Sequence, residues 1–422
     1  MSNDVPKDWT MRPLAFLADY HNGRAFKPDE LSKEGLPVIR IAQINNPSAE
    51  YDHYSGSDIS EKNLVRDGEL LFSWSATLTA LIWNRGDAIL NQHIFKVVEK
   101  EGVDKHYLHQ LLANSIEALA EHSHGSTMKH IKKSVLSDYV VPVPKLLEQQ
   151  KIATILSSVD DVIETTRAQI NKLKDLKTGM MQELLTQGIG HTEFKDSPVG
   201  RIPKSWRIVK VEDIQNPGKY SCVGGPFGSD LTSKDYVPEP GVPVIRGVNL
   251  PSDFRRFHER DFVYVTNEKA DVLFKSLAWR GDFVFTQRGT LGQVGMIPDD
   301  SIFDRFLISQ SQMKLSVDRS ILDKEFLYQY FLSEYFHRQI KQETIATGLP
   351  HINLGILKSF WVPLPSISEQ RKIAQILGAI DERMACLLHV VENYKAMKKA
   401  LMQDLLTGKV RVNVDQKEPE VA

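Results

Sequence analysis

Pro142-Val143-Pro144-Lys145-Leu146-Leu147-Glu148-Gln149-Gln150-Lys151-Ile152-Ala153 returns later in the chain as Pro363-Leu364-Pro365-Ser366-Ile367-Ser368-Glu369-Gln370-Arg371-Lys372-Ile373-Ala374. The offset is 221, and it holds without a gap to Met181-Gln182-Glu183-Leu184-Leu185-Thr186 against Met402-Gln403-Asp404-Leu405-Leu406-Thr407. A gapless match of this length marks a duplication. Upstream of each block the likeness thins and the offset drifts. Pro6-Lys7-Asp8-Trp9 answers Pro203-Lys204-Ser205-Trp206 at 197, and Gly35-Leu36-Pro37-Val38-Ile39-Arg40 answers Gly241-Val242-Pro243-Val244-Ile245-Arg246 at 206. Gly68 answers Gly281 at 213, and Asp104-Lys105 answers Asp323-Lys324 at 219. Each half is thus a globular domain with a shared framework and different loops, followed by an element held nearly constant.

The constant element reads as a long helix. Glu148 to Thr186 contains no proline and one glycine, Gly179. Its 3–4 spaced positions are Ile152, Leu156, Val159, Ile163, Thr166, Ile170, Leu173, Lys177, Met180 and Leu184. The second copy gives Ile373, Leu377, Ile380, Met384, Leu387, Val391, Tyr394, Lys398, Leu401 and Leu405. Such a stripe is the seam of a coiled coil. Prolines block helix upstream, Ser366 or Ser368 can cap the second copy, and Gly188 and Gly408 stop the runs. At 1.5 Å per residue, such a helix is a rod of roughly 58 Å. The economical partner for each stripe is the other copy, packed antiparallel. Both seams carry a lysine at the matching place, Lys177 and Lys398. A seam lysine can fix register, but the simpler expectation is a stem that snorkels out to water.

The expected class is α+β: two α/β domains separated by two long helices that form an intramolecular antiparallel coiled coil with pseudo-two-fold symmetry. The boundaries read as a first domain over 1–145, a helix over 146–190, a second domain over 191–365, a helix over 366–412, and a disordered tail over 413–422.

Composition narrows the function classes. Lys and Arg number 52 against 54 Asp and Glu, a near balance that argues against a charge-only nucleic-acid binder. No run of eighteen apolar residues exists to span a membrane, and the first residues lack the profile of a secretion signal. The two cysteines, Cys222 and Cys386, are far apart, which excludes a cysteine knuckle and fits a reducing, cytoplasmic setting. The strings Asn46-Pro47-Ser48 and Asn216-Pro217-Gly218 fall short of the Pro-Pro-aromatic site of an amine methyltransferase, and no phosphate-cradling Gly-rich loop with Lys-Ser/Thr occurs. His122, His124 and His130 cluster but lack carboxylate or cysteine companions at ligand spacing, so no metal is expected. What remains is a pair of related heads on a rod. Such a molecule can lay both heads along one duplex and read a bipartite, asymmetric target, with the rod setting the spacer.

The paired Pro-x-Pro, Glu-Gln-Gln/Arg-Lys-Ile-Ala and Met-Gln-x-Leu-Leu-Thr blocks resemble the specificity subunits of type I restriction–modification systems. So does the linker Phe194-Lys195-Asp196-Ser197-Pro198-Val199-Gly200-Arg201-Ile202-Pro203-Lys204-Ser205-Trp206, which leads into the second domain. Gly225-Pro226-Phe227-Gly228-Ser229 and Thr347-Gly348-Leu349-Pro350-His351-Ile352-Asn353 are similar to framework motifs of the target-recognition domains of that family. The first domain departs most, with Asn91-Gln92-His93 in place of Ser309-Gln310-Ser311 and Gly125-Ser126-Thr127-Met128-Lys129-His130-Ile131 in place of the Thr-Gly-Leu-Pro-His-Ile run. The resemblance implies a non-catalytic subunit without cofactors of its own. It would bind double-stranded DNA and grip two methyltransferase subunits that bring S-adenosylmethionine. Two restriction subunits, bringing ATP and Mg, can join.

Base edges are read by Arg, Lys, Asn and Gln, and phosphates by Lys, Arg, Ser and Thr. In the first domain, Arg40, Gln43, Asn45 and Asn46 suit these roles, as do Lys129, His130, Lys132 and Lys133. In the second, Arg246, Asn249, Gln287, Arg288, Thr290, His351 and Asn353 suit them. Trp74 and Trp279 are read as core. Two other classes stay open at this point. An assembly adaptor would show no salt-dependent, sequence-selective DNA retention, and an enzyme with an unrecognised site would methylate DNA alone.

Overall fold

The computed structural model of the chain describes residues 5–121, 131, 133–238, 241–251, 255–345 and 350–414. Two long helices run over Leu146–Leu184 and Ile367–Leu405, 39 residues each. The Ser366 hydroxyl caps the second by accepting from the Glu369 amide at 3.3 Å. Past the ends, Gly188 and Gly408 take left-handed backbone angles, φ +66° and +77°, that halt a right-handed helix. The chain divides into two compact units, Met1–Thr165 with Val391–Ala422, and Thr166–Val390. Each unit thus takes one part of each long helix. Most of the expected tail, 415–422, lies outside the described residues.

Within the first unit, one sheet runs in the order Ala18–Asn22, Ile94–Glu99, Leu70–Ser73, Thr79–Ile82. A second has the order His53–Tyr54, Leu36–Ile39, Ala88–Leu90, Leu64–Val65, with its two middle strands parallel. Thr10–Pro13 pairs with Val140–Val143. The second unit repeats this plan. Its first sheet has the order Cys222–Gly224, Gln312–Leu315, Phe283–Thr286, Val294–Met296, and its second the order Val263–Val265, Val242–Ile245, Arg305–Ile308, Leu277–Trp279, again with a parallel middle pair. Arg207–Lys210 pairs with Trp361–Leu364. The drift of the offset between halves is the loops between these strands.

Each core joins sheet to helix. In the first unit Phe72, Phe95, Tyr107 and Leu111 pack in one cluster with Ile152 and Leu156 of one long helix and Met402 and Leu405 of the other. In the second, Trp206 and Phe326 cluster with Leu185, Ile373 and Leu377. The repeated Glu-Gln pair is what fastens them. The Trp9 indole N–H donates to Glu148 at 3.1 Å, and that of Trp206 to Glu369 at 3.0 Å. Gln149 Oε1 accepts from the Asp104 amide at 2.9 Å while its Nε2 donates to the Pro144 carbonyl at 3.0 Å. Gln370 does the same to Asp323 and Pro365 at 2.8 and 2.9 Å. Asp104 and Asp323 in turn cap the helices that follow them.

The long helices meet antiparallel inside each unit. The first unit buries Ile152, Leu156, Val159, Ile163, Val391 and Leu405, with Tyr394 and Leu401 half-buried. The second buries Thr166, Ile170, Ile373, Leu377, Ile380, Met384 and Leu387, with Leu173, Met180 and Leu184 half-buried. The seam lysines do not snorkel out. Lys177 Nζ contacts both carboxylate oxygens of Asp381, at 2.7 and 2.9 Å, and Gln329 donates to the same carboxylate at 2.7 Å. In the first unit Lys398 meets Asp160 at 2.7 Å, and Gln110 donates to Asp160 at 2.9 Å. The two triads are copies of each other under the repeat. A charge left inside a seam must be paired, and the aspartate beside each facing stripe supplies the partner.

Trp279 is 47% exposed, contrary to its reading as core: it is the last residue of an edge strand whose two preceding residues, Leu277 and Ala278, are buried in separate apolar clusters. Both cysteines are free, and burial pushes the Cys222 thiol up to about 11. Among the described residues, no helix is long and apolar enough to cross a membrane.

Candidate nucleic-acid interface

A matched turn follows the parallel strand of each unit. The Arg40 amide donates to Gln43 Oε1 at 3.0 Å, and the Arg246 amide to Asn249 Oδ1 at 2.9 Å. Gln43 also donates to the Glu50 carbonyl, and Asn249 to those of His258 and Arg260 at 3.1 and 2.8 Å. Both amides are buried, Asn249 completely. Read from sequence as DNA contacts, they are instead committed to closing the turn, because a buried amide must satisfy its donors and acceptor locally. The arginines stay at the surface. Arg40 pairs with Asp52 at 2.8 Å, and Arg246 Nη2 donates to the Asp261 carbonyl at 2.7 Å. Asn45 and Asn46 are exposed, with Asn45 bonded to Thr77 at 3.0 Å and Asn46 to the Ser48 amide at 3.0 Å.

In the second unit the turn opens onto a groove of about 680 Å³ whose lining includes Arg260, Arg288, Thr290, Gln293, Ser311 and Gln312. The loop that carries Gln287 and Arg288 leaves the buried strand Phe283–Thr286 and is tied on both sides. The Gln287 amide donates to the Ser311 carbonyl at 2.7 Å, and its carbonyl accepts from the Ile352 amide at 3.1 Å. Arg288 forms a bridge with His351. Four expected residues, Gln287, Arg288, Thr290 and His351, therefore come together, with Arg288 and Thr290 exposed. Asn353 is exposed too, but its Oδ1 caps the helix Leu354–Ser359 through the Ile356 amide at 2.9 Å.

The first unit makes the same ties with different side chains. The Trp74 amide donates to the His93 carbonyl at 3.3 Å, and its carbonyl accepts from the Ile131 amide at 2.9 Å. Trp74 thus stands where Gln287 stands, and Ser75 where Arg288 stands. Its ring is half-buried and meets His93 edge-on at 5.4 Å. The indole packs against the first unit's core, as read from sequence, but the sequence reading did not register that its backbone takes the place of Gln287. The signal was available in the 213 offset that sets Gly68 on Gly281. Lys133 is exposed at the start of a short helix and donates to the Tyr20 carbonyl at 3.2 Å. Lys129, His130 and Lys132 lie outside the described residues, as do His122, His124 and part of the Thr347–Asn353 motif. Among the described residues there is no grouping of three His, Cys, Asp or Glu able to hold a metal ion.

A family model described as the type I restriction modification DNA specificity domain matches residues 6–175 and 203–388. The chain is 27% identical over 420 residues to the type I restriction enzyme MjaVIII specificity subunit of Methanocaldococcus jannaschii, covering 97% of this chain and 94% of that one. It is 24% identical to the EcoBI specificity subunit of Escherichia coli, covering 96% and 86%. In fold it is similar to the type I S subunit from M. genitalium, with a TM-score of 0.56, 14% identity and coverage of 96% and 97%. A chain from work on assembly and conformational transition of the type I R-M system gives 0.54, with 15% identity and coverage of 96% and 100%.

Proposed function

Because this chain belongs to the type I restriction–modification DNA specificity family, we propose that it is a targeting subunit that reads a bipartite, asymmetric duplex, one half-site per unit, and performs no chemistry itself. One observation carries the reading. The two units hold one residue in the same pair of backbone hydrogen bonds, yet present Gln287-Arg288 in one and Trp74-Ser75 in the other. A common frame that carries different side chains, an exposed arginine in one unit and a half-buried indole in the other, is what two readers of different base sequences need. Arg288 and Thr290 suit base edges or phosphates of the second half-site, and Arg40 and Lys133 suit the first. The long helices set the spacing, since 39 residues at about 1.5 Å each make a stiff element of roughly 58 Å.

The exposed flanks of the same helices serve as the seat for two methyltransferase subunits, which bring S-adenosylmethionine and the methylating site. Restriction subunits with ATP and Mg complete the nuclease form. Methylome sequencing of cells with and without this chain tests the reading. It should reveal one split motif, with two unlike halves at fixed spacing, that disappears with the chain. A methylome unchanged by its removal would refute it.

A further inference from the structure

The second unit carries an aromatic ring that its own fold leaves uncovered. Phe227 is 86% exposed. A phenyl group so exposed costs free energy in water, and among the described residues it joins none of this unit's apolar clusters.

The loop that bears it is nonetheless held firmly. The Gly225 amide donates to the Gln312 carbonyl at 2.9 Å, and a side chain on Gly225 would lie 2.0 Å from the Ser309 carbonyl oxygen, so only glycine lets the strands approach there. Gln310 Nε2 donates to the carbonyls of Gly228 and Leu231, at 2.7 and 2.5 Å. The Asp230 amide closes back on the Phe227 carbonyl at 2.7 Å. Ser311 and Gln312, which follow Gln310, line the groove, and Gly224 lies beside the Gln287 side chain. The loop that bears the ring is thus bonded to the segment whose Ser311 and Gln312 line the groove.

Among the described residues, the matching stretch of the first unit has no exposed ring, since its Phe26 packs against Tyr54. There Gly23 makes the matching bond to the Ile94 carbonyl, and its close approach is to the Asn91 carbonyl. From Gly23 to the capped turn at Lys27 the chain takes four steps. From Gly225 to the corresponding turn at Thr232 it takes seven, and the added residues bring in Phe227.

We propose that Phe227 is a DNA contact of the second unit that stacks on, or wedges beside, a base of its half-site without selecting which base it is. This rests on the DNA-reading function proposed above. Every base has a π-face, so an aromatic anchor adds affinity at little cost in sequence preference. A rigid mount means that the ring is already placed when DNA arrives.

The test uses the chain in complex with its methyltransferase subunit and a duplex carrying the motif read from the methylome. 2-Aminopurine is placed in turn at each adenine of the second half-site. The wild-type complex should change the fluorescence of the probe at one step, and Phe227→Ala should abolish that change and weaken retention about ten-fold, leaving the motif unchanged. Phe227→Trp should restore both. An alanine variant with wild-type retention and the wild-type fluorescence change would overturn the proposal. So would loss of co-purification with the methyltransferase subunit, which would assign the ring to a protein contact. Salt-dependent, sequence-selective retention by the wild-type complex checks the underlying function separately, so the two can fail independently.

Discussion

Lys177 and Asp381 form a two-oxygen ion pair at 2.7 and 2.9 Å in which each residue is only 8% exposed. The repeat copies the pair as Lys398 with Asp160, but in a wetter setting, with side chains 19% and 37% exposed. Burial decides the energetics. A charge stripped of its partner in a dry seam is expensive, whereas one near water is rescued by solvent.

Asp381→Ala should therefore destabilise the chain by about 3–5 kcal/mol, because it strands Lys177 and removes the acceptor of Gln329. Asp160→Ala should cost about 1 kcal/mol. Lys177→Met with Asp381→Met together should recover most of the loss. Urea unfolding of the four chains measures this, and equal losses from both single variants would contradict the argument.

Arg288 and Asn249 were indistinguishable as candidate DNA contacts, and the structure separates them. Arg288→Ala should leave thermal unfolding unchanged and weaken cognate-duplex retention about ten-fold or more, the range for one good base contact. Asn249→Ala should cost about 3 kcal/mol of stability, since it opens a buried turn closed by three hydrogen bonds. A melting curve and a filter-retention assay on the same two proteins distinguish them.

Replacing Trp74 with Gln gives the first unit the side chain that the second unit mounts in the same frame, and leaves the buried Ser75 in place. The fold should persist, because the anchoring bonds to His93 and Ile131 are backbone bonds. The methylome should then show one altered half-site and one intact half-site. Alteration of both halves would mean that the units do not read separately.

Acid should destabilise both units. Burial holds His109 below its ordinary value of 6.5, with the ring bonded to the Ala80 carbonyl at 3.1 Å, and burial likewise lowers His337. A depressed folded value means that the unfolded chain takes up the proton first as pH falls. The stabilisation is thus complete above pH 6.5 and is lost as pH drops from there through the folded values. Melting temperatures at pH 7.5 and 5.5 should fall further for the wild type than for His109→Gln with His337→Gln.

The repeat was legible because it needs only residue identities, and a constant offset of 221 allows no alternative alignment. The helices were legible because the stripe runs through ten positions in each copy. The lysine pairing was not. Asp160 and Asp381 each sit one residue past a seam position, Val159 and Ile380, where a one-dimensional pattern counts a charge as outward. The site was legible only in part, for a chemical reason. Asn and Gln read bases with the same donors and acceptors that close turns, so Gln43 and Asn249 look like readers until burial is known. Trp74 does pack against the core, as large indoles usually do, and that reading left its shared backbone frame unnoticed.

The crossed arrangement of the two ion pairs bears on ancestry. A chain half this length, carrying one such lysine and one such aspartate, would have satisfied both by joining a second copy of itself. Tandem fusion of its gene then required no new adhesive contact, only a linker. What fusion added was freedom for the two copies to diverge, which identical protomers encoded by one gene can never do.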